Sequence, residues 1–321
     1  MLTFNEHFLL AEASRSGYSD EHALAGLWNH AVNHKDSAKL LSNPDHLHTE
    51  IEKAKKDKNH PLNFANAQHG FTGGKKPEHT DAYYKELHHA ADAVHGLANH
   101  PSFKQAVKQK YKARVTGAEA GKLSDTWKKS GAKNTTSKAD VVFQHPSNPE
   151  GKNIPVSLKK GDSQLMSAEA NELHATYSHA VAEHAKVNQK FTPQHQKKVM
   201  DRIKKVADNL NAMKNTNDKD EQRRLRDEAQ DHINAIHKEH PGLLSHVAHE
   251  AATGHGKFGH GQTGTARVLV TTVAGKPPHV HDTETQHHPI EIGVPRVALP
   301  KGKTASGQSR PGNVKLDYKA K

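Results

Sequence analysis

Ser137-Lys138-Ala139-Asp140-Val141-Val142-Phe143 and Ile154-Pro155-Val156-Ser157-Leu158-Lys159-Lys160-Gly161 are the stretches on which the fold turns. Each holds a short β-type apolar run, and residues 145–153 between them are dense in Pro, Ser, Asn and Gly. Apolar runs separated by turn formers predict a β-hairpin with a loose loop. Side chains alternate along a strand, so Ser157 and Lys159 share one face and Leu158 takes the other. Asp140 opens the first strand, and the hairpin can bring its carboxylate and the Lys159 amine together at one end of a small sheet. Such a site accounts for a lysine inside an apolar strand; a solvent-facing edge position is the other explanation.

A carboxylate beside an ammonium suits phosphodiester hydrolysis. Carboxylate oxygen holds Mg²⁺, which keeps several waters and meets the phosphate. The metal lowers the pKa of a bound water and offsets charge on the phosphorus. A neighbouring lysine orients that water or stabilises the added charge. Composition agrees: 46 Lys+Arg against 35 Asp+Glu give a net charge of +11. That surplus favours a polyanionic partner through counterion release, although basic surfaces also serve solubility alone. The absence of cysteine excludes disulfides, thiolate zinc sites and cysteine nucleophiles, and fits a reducing, intracellular compartment. No apolar run nears the ~20 residues of a membrane span, so no membrane partner is expected. A hydrophobic share of 33% and a mean hydropathy of −0.90 predict a small core with long solvated helices.

Working outward, Ala23, Leu24, Leu27, Trp28 and Ala31 share one face of a helix expected over about 20–34. Residues 35–80 are polar, and 71–77 have turn chemistry. Helical spacing returns at 81–99 and again after Pro101. Further helices are expected over about 167–187, after Thr192-Pro193, over about 218–238, and from Leu243 to near Gly254. Strands are expected at 267–273, 294–299 and 314–318.

With Ser163-Gln164-Leu165-Met166-Ser167 following, the two hairpin stretches resemble the PD-(D/E)xK, restriction-endonuclease-like nuclease superfamily, most nearly its tailed-phage members. The likeness covers about 135–185. It implies an α+β fold, with a small mixed β-sheet of restriction-endonuclease-like type and large helical insertions and additions. The implied activity is that of a DNA endonuclease using Mg²⁺, with Mn²⁺ as an alternative. The resemblance makes Asp140 the metal-binding acid, Lys159 the motif lysine and Leu158 a further position at the metal, with Gln164 near the phosphate. Lys138, Lys160 and Lys257 would meet nucleic acid. Ser157, in the catalytic set, stands where the family usually carries Glu or Asp; members with a neutral residue there recruit another acid or are inactive. The family's acid on the helix before the sheet falls on Glu21, which is equally a first-turn acid favoured by the helix dipole. Glu119, Glu169 and Glu172 are the alternatives.

The expected organisation is a leader at 1–13, a first core helix at 14–34, a mainly helical insertion at 35–115, the hairpin core at 116–190, a helical segment at 191–253 and a β-rich part at 254–321 packing on the core. Residues 1–13 resemble the capsid-targeting leader of internal head proteins in T4-like phages, with Leu10-Ala11-Glu12 at the cleavage position, and fit an ordinary amphipathic helix as well. That likeness implies the virion head interior, beside host cytoplasm, as a location; DNA, the capsid interior and a second copy are the partners considered. The glycine-rich 254–259, with Lys257, could grip a phosphate or simply stop a helix. His88-His89, His279 with His281-Asp282, and His287-His288 are either transition-metal ligands or exposed polar positions. Three functions therefore compete: a phage-encoded nuclease, a catalytically inactive DNA-binding or internal virion protein on the same scaffold, and a histidine-based metal-binding protein.

Overall fold

The computed structural model describes residues 20–64, 81–116, 120–148, 153–160, 164–272, 276–284, 292–300 and 311–317. The leader, the 71–77 turn, Glu119 and His287-His288 lie outside the described residues. The chain begins with α1 (Asp20–Asn33), α2 (Ser37–Ser42), α3 (Pro44–Lys56), α4 (Asp81–Asn99) and α5 (Lys104–Lys108). Next come β1 (Lys112–Val115), α6 (Asp125–Lys129), β2 (Val141–Gln144), β3 (Ile154–Lys160) and β4 (Gln164–Ala168). The long helices α7 (Ala170–Val187), α8 (Pro193–Asn215), α9 (Lys219–Glu239) and α10 (Leu243–Thr253) precede the short α11 (His255–Phe258). The last strands are β5 (Val268–Thr272), β6 (His279–Asp282), β7 (Arg296–Ala298) and β8 (Asn313–Asp317). The fold is thus mixed α+β, with two small sheets among the described residues.

Two compact units share the chain. The first takes residues 1–117, 139–161 and 267–282; the second takes 118–138, 162–266 and 283–321. The β-rich stretch expected at 254–321 is therefore divided between them.

In the first unit a five-stranded sheet runs in the order β1-β2-β3-β5-β6. β1, β2 and β3 are antiparallel neighbours, with Val115 opposite Val141 and Val141 opposite Val156. β5 joins β3 in parallel, Lys159 facing Thr271, and β6 returns antiparallel to β5. The predicted hairpin forms, with each strand extended beyond its apolar run. α1 buries Ala23, Leu24, Leu27, Trp28 and Ala31, the face that its spacing predicted. Each large side chain so buried contributes roughly 1.5–3 kcal/mol. Trp28 meets Phe143 edge-on at 4.8 Å between ring centroids and donates from Nε1 to the Tyr111 carbonyl at 2.8 Å. Asn29 both donates to and accepts from the Ala113 backbone at 2.8 Å, fixing α1 against β1. The polar 35–64 region holds helices α2 and α3, because a thin stripe of Leu40, Leu41, Leu47, Ile51 and Ala54 is buried. Asn43 caps α3 by accepting from the Asp45 amide at 2.9 Å.

The second unit packs α7 with α8 and α10, and α8 with α9. Its sheet runs β4-β8-β7, antiparallel throughout. Here one expectation is corrected. Residues 167 and 168 end strand β4, and α7 starts at Ala170. The strand exists because Met166 and Ala168 pair with Leu316 and Val314, partners remote in sequence. The helix expected directly after Pro101 is also corrected: a 3₁₀ turn at Pro101–Phe103 comes first, then the short α5. Thr192 starts α8 with a capping box, Asp218 caps α9, and Gly254 ends α10 in the left-handed region at φ 68°. A Cβ at Gly254 would meet Lys138 Cγ at 2.8 Å, a second reason for glycine there. Among the described residues no helix is long and apolar enough to cross a membrane.

Candidate functional site

Asp140 sits where β2 begins, and its polar groups are shared among three strands. Its amide donates to the Val156 carbonyl of β3 at 2.8 Å, and its carbonyl accepts from the Thr116 amide beside β1 at 3.1 Å. The carboxylate then extends the β2–β3 ladder by one rung, Oδ2 accepting from the Leu158 amide at 2.7 Å. The same oxygen accepts from Ser157 Oγ at 3.1 Å and lies 3.6 Å from Lys159 Nζ. Asp140 Oδ1 has no hydrogen-bond partner among the described residues. The side chains of Asp140 and Lys159 are 24% and 22% exposed, so the end of the sheet opens to solvent at this point. Ser157 is buried. The Leu158 side chain packs on the apolar core, so its main chain is what it presents to the carboxylate. Strand alternation thus brings Ser157 and Lys159 to one acid, as the pattern predicted.

The other expected site residues are distributed differently. Glu21 lies half-buried in the first turn of α1, and Asp140's partners do not include it. Gln164, Glu169 and Glu172 belong to the second unit. Gln164 is exposed at the start of β4 opposite Asp317, and Glu169 is the N-cap residue of α7 with no side-chain cap bond. Lys138 is half-buried in the second unit, and the Lys160 side chain lies outside the described set.

Lys257 is corrected outright. It is 1% exposed, with Nζ 3.4 Å from Glu172 Oε1 and 3.3 Å from the Thr136 carbonyl, so it is not available at the surface to a phosphate. The turn around it binds an internal carboxylate instead. Glu250 of α10 accepts from the amides of Gly256 at 2.7 Å and Lys257 at 3.0 Å, with His179 Nε2 3.4 Å away. Burial pushes the Glu250 carboxyl up to about 7, against the opposing pull of those amides and of the Lys138 charge. Burial likewise lowers the Lys257 ammonium, opposed by Glu172 and Glu250. Sequence reading missed Glu250; its one visible signal is an acid interrupting the apolar Val247, Ala248, Ala251, Ala252 face of α10.

Of the histidine clusters named from sequence, His88 is taken by His48 at 2.8 Å and by Glu52 at 3.0 Å, and His279 stacks on His281. The described residues that could hold a metal by convergence of donors are His30, His34 and Glu50. The His30-x-x-x-His34 spacing, one helical turn, was a legible signal for the first two. No protein-family model matches the chain, and neither a curated protein nor a solved structure does.

Proposed function

We propose that the protein is a metal-dependent nuclease of the PD-(D/E)xK, phage-encoded type, hydrolysing DNA with Mg²⁺, or Mn²⁺, at Asp140 and Lys159. The observation that carries the reading is the meeting of these two side chains on adjoining strands, with one carboxylate oxygen free of hydrogen bonds among the described residues. An antiparallel β1-β2-β3 meander with β5 added in parallel to β3, preceded by a helix packed on β1, also suits a sheet of restriction-endonuclease-like type.

The donor set fits a hard cation. Mg²⁺ takes oxygen ligands and is commonly held by one or two carboxylates, with waters and phosphate completing the shell. Asp140 would hold it through Oδ1, while Oδ2 stays bound to the Leu158 amide and the Ser157 hydroxyl. A bound Mg²⁺ supplies an acidified water and neutralises charge on the phosphate. Lys159 keeps its ammonium beside the acid, where it orients the attacking water or stabilises the added negative charge on the phosphoryl oxygens. Glu21 remains a proposed auxiliary residue, and the net charge of +11 supports DNA as the polyanion.

The second reading is an inactive DNA-binding or internal virion protein on the same scaffold, and Ser157 in place of a second acid favours it. Plasmid incubated with Mg²⁺ separates the two. The nuclease reading expects nicking by the wild-type protein and loss of at least ~100-fold in Lys159→Met, with salt-dependent DNA binding retained. Nicking at the wild-type rate by Lys159→Met would overturn the site, and absence of nicking by the wild-type protein would leave the binding reading.

A further inference from the structure

The end of α1 remote from Glu21 carries a second cluster, built around one buried carboxylate oxygen. His34 continues the α1 spiral, its amide donating to the His30 carbonyl at 3.0 Å, so the two imidazoles stand one turn apart on one face. Glu50 of α3 points Oε1 at both: 3.6 Å to His30 Nε2 and 3.9 Å to His34 Nε2. The three ligand atoms lie within 4.8 Å of one another. Zinc-type ions bind imidazole and carboxylate at about 2.0–2.2 Å in a tetrahedron, which separates the donors by about 3.4 Å. The two separations from Glu50, 3.6 Å and 3.9 Å, are those of a tetrahedral edge opened by a few tenths of an ångström, and the two imidazole donors stand within 4.8 Å of each other. Ordinary hydrogen bonds would be shorter, and His30 Nε2 is buried with no hydrogen-bond partner among the described residues.

We propose that His30, His34 and Glu50 bind a divalent cation of the zinc class, with His60 as the positioning residue and the fourth coordination position open. His60 Nδ1 accepts from the Leu62 amide at 3.3 Å, so its Nε2 carries the proton and donates to Glu50 Oε1 at 3.0 Å. That bond steers the liganding oxygen in the way outer-shell partners of metal ligands do. Lys53 Nζ holds Oε2 at 3.2 Å, leaving Glu50 to bind through one oxygen. Two nitrogens and one carboxylate form the ligand set of zinc sites that keep a position for water or substrate. His34 is the most exposed of the three at 23%, against 7% for each of the others, which gives solvent its route to the ion.

Cobalt(II) is the probe, because a four- or five-coordinate nitrogen-and-oxygen site gives strong visible absorption and an all-oxygen octahedral site does not. Untagged full-length protein, stripped with chelator, is titrated with Co²⁺ and then with Zn²⁺. One equivalent of strongly absorbing cobalt, displaced by zinc, is expected in the wild-type protein, in Asp140→Asn, and in His174→Gln, the control at an exposed histidine of α7. The signal is expected to be lost in His34→Gln and in Glu50→Gln, whose folding is checked by circular dichroism. A wild-type spectrum without these bands, or bands that survive in both ligand variants, would overturn the site. Survival of the bands in Asp140→Asn keeps this outcome separate from the nuclease proposal.

Discussion

Replacing Asp140 tests a structural and a chemical role together, and the two have separable magnitudes. In Asp140→Ala the Leu158 amide and the Ser157 hydroxyl lose a shared acceptor at 2.7 Å and 3.1 Å. An orphaned buried donor costs about 1–3 kcal/mol. Ser157 is 1% exposed, whereas the Asp140 side chain is 24% exposed and lets water reach part of the gap. The lower half of the range therefore applies, about 2–4 kcal/mol for the two donors together. The half-exposed ion pair with Lys159 adds no more than about 1 kcal/mol. Asp140→Asn keeps an amide oxygen for the Leu158 N–H and should cost only about 1 kcal/mol. Urea unfolding measures both, and plasmid nicking in Mg²⁺ measures the chemistry, where Asn is expected to lose at least ~100-fold despite its retained fold. An Asp140→Ala protein as stable as wild type would refute the ladder-extending role. An Asp140→Asn protein that nicks at the wild-type rate would refute the cation-holding role.

Ser157→Asp sets a second carboxylate against Asp140 and should lower metal-free stability by up to about 5 kcal/mol while both acids are ionised. It should also raise Mg²⁺ affinity about 10-fold, read by thermal unfolding with and without the ion; unchanged affinity would show that position 157 does not face the cation. His237, buried against the Tyr177 hydroxyl at 2.8 Å, is held down by burial to about 4. The unfolded chain therefore binds more protons than the folded one between about pH 6.5 and 4, so stability is present above that window and falls as pH drops through it. The loss approaches about 3 kcal/mol, and urea titrations from pH 7 to pH 4 should show a flatter profile for His237→Gln.

Local rules made much of the fold legible. The apolar spacing of α1, the Thr192-Pro193 start of α8, Asp218 before α9 and Gly254 after α10 are decided within a turn or two of chain, and the sequence displays them. β4 was hidden because nothing within Gln164–Ala168 is β-branched, and its stabilising partner strand begins at Asn313. α3 was hidden by composition: three buried apolar residues, Leu47, Ile51 and Ala54, suffice to dock a helix whose other faces carry charge. The meeting of Asp140 and Lys159 was readable because hairpin register and strand alternation are both short-range. Lys257 was misread because exposure, unlike spacing, is set by distant elements, here Glu172 and the Thr136 carbonyl. Glu50 escaped notice for the same reason: two histidines on one turn announce half a metal site, and the helix that completes it is chosen by packing.

Ser157 bears on how such a site can stand without a cation. Two carboxylate oxygens about 3 Å apart repel by about 5 kcal/mol at an effective dielectric near 20. A hydroxyl at position 157 removes that term and donates a hydrogen bond instead, and Lys159 balances the one charge that remains. The hairpin therefore closes with the charges of Asp140 and Lys159 cancelled and the ladder rung to Leu158 in place. The corollary is a weak hold on a divalent ion, since Asp140 offers it a single carboxylate oxygen free of hydrogen bonds among the described residues. In the nuclease reading, the negative charge that a second acid would have supplied has to come from the phosphate itself. Cation and DNA then depend on each other for binding, and the basic surface that draws in the DNA also sets how much Mg²⁺ the site retains. Salt should consequently weaken cleavage through both routes, more steeply than it weakens DNA binding measured without metal.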